Sequence, residues 1–498
     1  MTAARAFAEP AVEPRHLDVV IVGAGISGIG SACHLLRDAP GKTFTLLEAQ
    51  GSFGGTWHTH RYPGVRSDSD LHTFGYAHKP WRGSPIATAP QILSYLNEVI
   101  EEEGLEEHIH YNTRVVSAHW SSAENHWAIE TENSLTRARE QLTAGFLWMC
   151  QGYYRHTEGY TPDWPGMADF RGRILHPQTW PDDADLTGKR VVVIGSGATA
   201  ATIVPAVAKD VAHVTMLQRS PTYFFSRPNV NELAEKLRSL DIDPAWTHEI
   251  LRKDILQTMA LMMKVGLENP DAMRKQLLDV VRAHVGDDYT DKHFTPTYAP
   301  FTQRVCLVPD GDFFEAIKAG KASVVTDEIE RFTPDGILLK SGEVLEADVI
   351  ITATGFHLNV LGDIDFTVDN QPLDLSQSIT YRGMMFTGVP NLLWVFGYFR
   401  ASWTLRVDLI GKFMTRLLNH MDDKGFQRVE PALRPEDADL AIGPWVDPDD
   451  FNPGYLNRGM HLMPKAGAKR EWRHSQDYWS EKEEIPSLDL EDSAFAYA

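Results

Sequence analysis

The chain has 498 residues, too many for one ordinary domain and enough for two or three. It is 43% hydrophobic and 23% charged, the balance of a globular protein that buries a core. Lys and Arg number 47 against 68 Asp and Glu; the net charge of −21 argues against nucleic acid or an anionic membrane as partner.

Residues 1–16, rich in Ala, Pro and Glu, read as a mobile N-terminal tail without the apolar core of a signal peptide. No apolar run reaches the ~20 residues of a membrane span. Cys33, Cys150 and Cys306 are too few and too far apart for a disulfide framework or a CxxC site. A reducing, cytoplasmic setting is expected.

Two segments share one order of elements. In the first, LDVVIVGAGISGIG (17–30) leads to FTLLEA (44–49); in the second, KRVVVIGSGATA (189–200) leads to HVTMLQRS (213–220). Each is an apolar β-branched run, a Gly-rich turn, an Ala-rich amphipathic stretch and a second apolar run. That order predicts an α/β fold with two Rossmann-like dinucleotide-binding units. FLWMCQGYY (146–154) and ADVIITATGF (347–356) read as further buried strands. The first unit is expected to be split over 17–152 and 378–498, around a second unit at 153–228 and 301–377. Residues 229–300 read as a helical insertion in the second unit. Leu233, Leu237 and Leu240 fall at helical spacing there, Asn269-Pro270 starts a helix, and Met273, Leu277, Val281 and Val285 form one face before Gly286. A further helical run is expected near 407–421.

The first turn is Gly23-x-Gly25-x-x-Gly28. Its glycines allow a tight turn, a close approach of pyrophosphate and close helix–strand packing. Glu48 follows Gly28 by 20 residues, at the end of the next strand, where a carboxylate accepts both ribose hydroxyls. Gly54-Gly55 comes soon after, which suits an extended flavin dinucleotide better than NAD. The second turn is Gly195-x-Gly197-x-x-Ala200, and its second strand ends in Gln218-Arg219-Ser220 rather than an acid. Arg219 would attract a 2′-phosphate, so this site should prefer NADPH. Two such sites in one chain imply hydride transfer from NADPH to a flavin. The His58-x-His60 pair lacks a convergent acid, and no metal is expected.

Residues 170–181, FRGRILHPQTWP, fit F-x-G-x-x-x-H-x-x-x-W-P, with Phe170, Gly172, His176, Trp180 and Pro181. Residues 54–68, GGTWHTHRYPGVRSD, fit G-G-x-W-x-x-x-x-Y-P-G-x-x-x-D. At these residues the sequence resembles the type I Baeyer–Villiger flavin monooxygenases. MLQRSPTY (216–223), QRVCLVPDGD (303–312), IITATG (350–355) and ASWTL (401–405) make it most similar to the ethionamide-activating subgroup, over roughly 15–485.

The resemblance implies FAD contacts at Gly23, Gly25, Gly28 and Glu48, at Thr56, Trp57, His58 and Thr59 beside the isoalloxazine, at Asp68, and at the backbone of Val116 near adenine. It implies NADP contacts at Arg66, Ser67 and Asp68, at Gly195, Ser196, Gly197, Ala198, Thr199, Ala200 and Ala201, and at Arg219 and Ser220. Arg304 aligns with the active-site Arg that stabilises a C4a-peroxyflavin anion, and Asp68 pairs with it. The physics agrees, since a fixed cation in a dry pocket is worth far more than in water and a buried Arg needs a carboxylate. The expected substrates are O2 and a small ketone, oxidised to an ester or lactone, or a thioether, oxidised to a sulfoxide. One departure concerns cofactor choice. Many relatives carry Lys immediately before this Arg, and here it is Gln303. His176 reads as a hinge and hydrogen-bonding residue between domains. Basic residues between Pro464 and Arg473 read as a loop over NADP, and Arg400 and Trp403 as pocket lining. An S/N-oxidising flavin monooxygenase and a non-catalytic flavoprotein sensor are the alternatives; Trp180-Pro181 and the Asp68–Arg304 combination argue against the first, and the intact Arg304 against the second.

Overall fold

A computed structural model describes residues 15–498. The tail assigned to 1–16 therefore lies outside the described residues except at its end. There the assignment fails, because Arg15 and His16 begin the first strand and pair with Leu142 and Thr143.

The first unit starts with β1 (Arg15–Val22), α1 (Ile26–Asp38) and β2 (Phe44–Leu47). β1 runs parallel to β2 on one side and to Arg139–Met149 on the other, with Val19 opposite Phe44 and Ile21 opposite Trp148. Val19, Val20 and Ile21 are fully buried, as expected of a strand covered on both faces. Ile29, Ala32, Cys33 and Leu35 pack α1 onto it. An antiparallel meander, Thr113–Ser121, His126–Asn133 and Arg139–Met149, extends the sheet. Leu392–Trp394 then returns from far along the chain to pair with Arg139–Met149.

The second unit has β3 (Arg190–Ile194), α2 (Ala198–Val207) and β4 (His213–Gln218). Between β4 and the return of the chain to this sheet lies the insertion, with helices Glu232–Ser239, α3 (Pro244–Glu268) and Pro270–Val285. Asn269 caps the last of these through Oδ1, which accepts the Ala272 N–H at 3.2 Å. Met273, Leu277 and Val281 are buried as patterned. Leu240 is not: the first helix stops at Ser239 and leaves it 61% exposed. Nor does the insertion belong to the second unit alone. Arg252 of α3 donates to the carbonyls of His72 at 3.1 Å and Gly75 at 3.0 Å, both in the chain of the first unit.

The chain then returns as β5 (Val349–Thr352). The second sheet is wholly parallel, in the order Ala322–Thr326, β4, β3, β5, Arg173–Leu175. Arg173–Leu175 lies inside the F-x-G-x-x-x-H-x-x-x-W-P motif, so the motif is woven into this sheet rather than forming a free linker. Phe170 packs edge-on to Phe332, and a Cβ on Gly172 would meet the Asp348 carbonyl at 2.3 Å. Asp365–Val368 leaves this unit and pairs with Ser117–Trp120 of the first sheet. The stretch read as 301–377 of the second unit thus ends earlier than its sequence suggested. Two helices complete the chain's path past the site, α4 (Trp403–Lys424) and α5 (Gly454–Gly459).

Candidate active site

Both glycine turns open on one cavity of about 620 Å³. At the first turn Gly23 has φ +102°, and a Cβ on Gly28 would fall 1.9 Å from the Gly23 carbonyl oxygen. Gly25 precedes α1 and offers no side-chain cap, leaving the first N–H groups of the helix for a ligand at the cavity wall. The Gly54-Gly55 pair packs on this turn: the Gly54 N–H donates to the Ala24 carbonyl at 2.9 Å.

Glu48 is buried at the cavity edge. One carboxylate oxygen accepts the Ala24 N–H at 2.8 Å and the other accepts the Gln50 N–H at 2.9 Å. Each oxygen keeps a lone pair for a further donor, which suits a pair of hydroxyls. Burial raises its pKa, and those two N–H donors work against the rise.

Opposite the first turn, Arg304 and Asp68 face each other with Nη1 and Oδ2 3.6 Å apart. Both side chains line the cavity. Burial works against the charge on Arg304, but Tyr455, Tyr153 and Asp68 outweigh it and hold the guanidinium above its ordinary pKa. Arg66, also at the cavity, is already neutralised by a two-pronged contact with Asp312, at 2.5 and 3.2 Å. Arg304 is therefore the better-placed cation for charge that develops in the cavity. Ser67 is buried, its Oγ donating to the Ser69 carbonyl at 2.8 Å.

Other sequence-derived candidates divide. Thr56 and Trp57 line the main cavity, whereas His58 and Thr59 turn into a separate cleft of about 270 Å³ with Trp180 and Pro181. Val115 rather than Val116 lines the cavity, since a bulge between Val115 and Ser117 displaces Val116 from the regular alternation. At the second turn Gly197, Ala198 and Thr199 line the cavity. Gly195 has φ +127° and backs onto the Ala353 carbonyl. Ala200 and Ala201 are buried and pack against the second sheet. Ser196 Oγ is bound to Thr222 Oγ1 at 2.8 Å. Arg219 and Ser220 stand exposed at the exit of β4, outside the cavity.

His176 lines the cavity, and its Nδ1 accepts the Gln178 N–H at 3.1 Å. Burial lowers its pKa, which favours the neutral ring. Trp403 lines the cavity and donates from Nε1 to Ser27 Oγ at 2.8 Å. Arg400 does not; it binds Asp450 at 3.0 Å and the Phe301 carbonyl at 3.1 Å. Nor does 464–473 cover the cavity: Lys465–Gly467 pairs with Ile442–Pro444, and Arg470 binds Glu484 at 3.0 Å. The C-terminal chain at the site is instead Pro453-Gly454-Tyr455.

The cavity fits a polar, extended ligand. Both amide atoms of Gln151, Nε2 of His60, Nδ1 of His156 and Nε2 of His176 are buried without a hydrogen-bond partner, and all four residues line it. Such groups are normally satisfied in a finished protein.

The chain is 47% identical over 467 residues to the FAD-containing monooxygenase EthA of Mycolicibacterium smegmatis, covering 93% of each chain. It belongs to the flavin-binding monooxygenase-like family. The family's sequence model matches residues 17–237. The flavin monooxygenase is also 42% identical over 489 residues to the putative FAD-containing monooxygenase MymA of Mycobacterium tuberculosis, covering 97% of this chain and 98% of MymA. Its fold is that of an ε-caprolactone-bound cyclohexanone monooxygenase, with TM-score 0.75, 21% identity and coverage of 97% of this chain and 100% of that one. An oxidised steroid monooxygenase bound to NADP superposes with TM-score 0.74 at 23% identity, over 97% and 99% of the chains.

One result follows from the first turn of the flavin monooxygenase. Gly28→Ala puts a methyl group against backbone that cannot move without unmaking the turn. The variant is expected to purify with little or no flavin, read as the ratio of absorbance at 450 nm to that at 280 nm. A normal ratio would show that the turn can shift.

Proposed function

We propose that the protein is an NADPH- and O2-dependent FAD monooxygenase. It inserts one oxygen atom beside a ketone carbonyl to give an ester or lactone, and it oxidises thioethers to sulfoxides. The observation that carries this reading is the Arg304–Asp68 pair, set in the one cavity onto which both glycine turns open.

When bound, a flavin reduced by the nicotinamide supplies activation of O2. The residues do the rest. The Gly23–Gly28 turn and the N–H groups of α1 would hold the FAD pyrophosphate, and Glu48 its ribose hydroxyls. The Gly195–Ala200 turn would hold the NADP pyrophosphate, with Arg219 at the 2′-phosphate. Arg304 presents a fixed charge where negative charge develops on oxygen, and Asp68 orients it without a proton leaving the guanidinium. Trp57, Trp403 and Phe74 line the cavity with apolar surface and exclude water.

NADPH oxidation should accelerate when a ketone is added, and one atom of ¹⁸O2 should appear in the product. The reading fails if substrate leaves NADPH use unchanged and no label enters product. Arg219→Ala is expected to raise the KM for NADPH by roughly 10–100-fold, the worth of a charge-assisted contact, while leaving that for NADH unchanged. Equal effects on both cofactors would remove Arg219 from the 2′-phosphate.

A further inference from the structure

Arg458 belongs to no sequence motif, yet α5 delivers it to the rim of the second turn. Its guanidinium carbon lies 3.5 Å from the centroid of the Tyr160 ring. Nη2 is 3.4 Å from the Phe356 carbonyl oxygen, and 3.5 Å from where a Cβ on Gly355 would project. These contacts fix it at the exit of β5. Arg219 stands at the exit of β4. Because β4, β3 and β5 are parallel neighbours in that order, the Gly195–Gly197 turn at the exit of β3 lies between the two arginines. Two strand spacings span about 10 Å.

Neither arginine has a carboxylate within ion-pair distance among the described residues, in a chain with 68 acidic side chains. Most arginines built in for structure here do have one, as Arg66, Arg190, Arg406 and Arg434 show. Desolvation pulls Arg458 below the usual guanidinium range; Tyr160 opposes this, and the charge on Arg219 adds to it. Two like charges flanking a turn built for phosphate repel each other until an anion lies between them.

We propose that Arg458 is a cofactor-binding residue that reaches over the Gly195–Gly197 turn to the bridging pyrophosphate of NADP, leaving the 2′-phosphate to Arg219. This rests on the reading that the second turn holds NADP. In a parallel nucleotide-binding sheet the pyrophosphate sits on the turn after the first strand, and the adenosine ribose at the end of the second. Arg458 is on the far side of that turn from β4, so it meets the pyrophosphate and not the ribose. Gln303, also in the cavity, has its Nε2 turned to Asn452 Oδ1 at 3.2 Å. Three residues before Arg458, Tyr455 stands beside Arg304. One short helix thereby joins the cofactor's phosphates to the reaction cavity.

Titration calorimetry on the FAD-loaded enzyme tests this with three probes: NADP⁺, ADP-ribose (pyrophosphate without a 2′-phosphate) and 2′-AMP (the reverse). Arg458→Ala is expected to weaken NADP⁺ and ADP-ribose by about tenfold or more and to leave 2′-AMP unchanged. Arg458→Lys should recover part of the loss. Arg458 is exposed, so the melting temperature should not move. Unchanged NADP⁺ binding in Arg458→Ala overturns the proposal, as does a loss confined to NADP⁺ and 2′-AMP, which would put Arg458 on the 2′-phosphate. If the parent enzyme binds none of the three probes, the NADP reading itself fails, whatever the variant does.

Discussion

Arg304→Ala is expected to keep reduction of the bound flavin by NADPH within a few-fold of the parent and to lose oxygenated product by about 10²–10³-fold, the scale on which removing a preorganised charge-stabilising group acts. The acidic partner of Arg304 is Asp68, at 3.6 Å. Hydride delivery needs the two dinucleotides in place, which Gly23–Gly28, Glu48 and the second turn arrange. Oxygen transfer needs negative charge to be stabilised in the cavity, and Arg304 is the cation that faces it. NADPH consumption should therefore continue in the variant with its electrons released as hydrogen peroxide. Anaerobic stopped-flow reduction, peroxide release and product yield are the three readouts. A variant that still couples NADPH to product at the parental ratio would remove Arg304 from the chemistry. Asp68→Asn should fall between the two, because it leaves the guanidinium charged but loosens its orientation.

The second large effect is on stability. Arg406 and Glu481 are fully buried and bound to each other at 3.0 Å. Arg406 also donates to the Phe396 carbonyl at 2.8 Å and to the Arg382 carbonyl, and Tyr398 Oη donates to Glu481 at 2.5 Å. Arg406→Ala leaves a carboxylate and several carbonyls buried without partners, a loss of about 3–5 kcal/mol. A chain of several units need not unfold in one step, so the measurements are the melting temperature and the flavin retained after dilution. Both should drop, since Tyr398 and the start of α4 at Trp403 form part of the cavity wall. The double replacement Arg406→Met with Glu481→Leu should harm less than Arg406→Ala, because it removes both charges together. An unchanged melting temperature in Arg406→Ala would show that water reaches this pair.

Much of the fold was legible because its signals are local. A buried β-branched run, a glycine turn and an Ala-rich helix start each obey rules that act over a few residues, and Glu48 follows at a fixed distance from its turn. Family resemblance placed Arg304 and Asp68 in one site, although 236 residues separate them in the chain. Errors arose where a site residue depends on orientation rather than position. His58 and Thr59 lie in the right stretch but face the other cleft, and at the bulge it is Val115 rather than Val116 that lines the cavity. Arg400 resembles pocket lining until Asp450 is seen to hold it. Tyr455 and Arg458 could not be found at all by pattern. Their helix has six residues, and its place is set by Leu456 packing into the first unit's core, a contact between distant parts of the chain.

The pairing of Leu392–Trp394 with Arg139–Met149 has a consequence for how the protein is made. The first sheet cannot bury its face with early residues alone. Its core includes Val395, Val407, Phe413 and Met421, and a Cβ on Gly411 of α4 would strike His34 of α1 at 2.2 Å. A ribosome adding ~5–20 residues per second needs on the order of 15–50 s between Cys150 and Met421. Until then β1, β2 and the meander lack the part of their core that Val395, Val407, Phe413 and Met421 supply, whereas the second sheet has its last strand once Thr352 is made. A chain stopped before α4 would have Ala89–Glu103 and α1 packed on the first sheet but would lack the part of that core that Val407, Phe413 and Met421 supply.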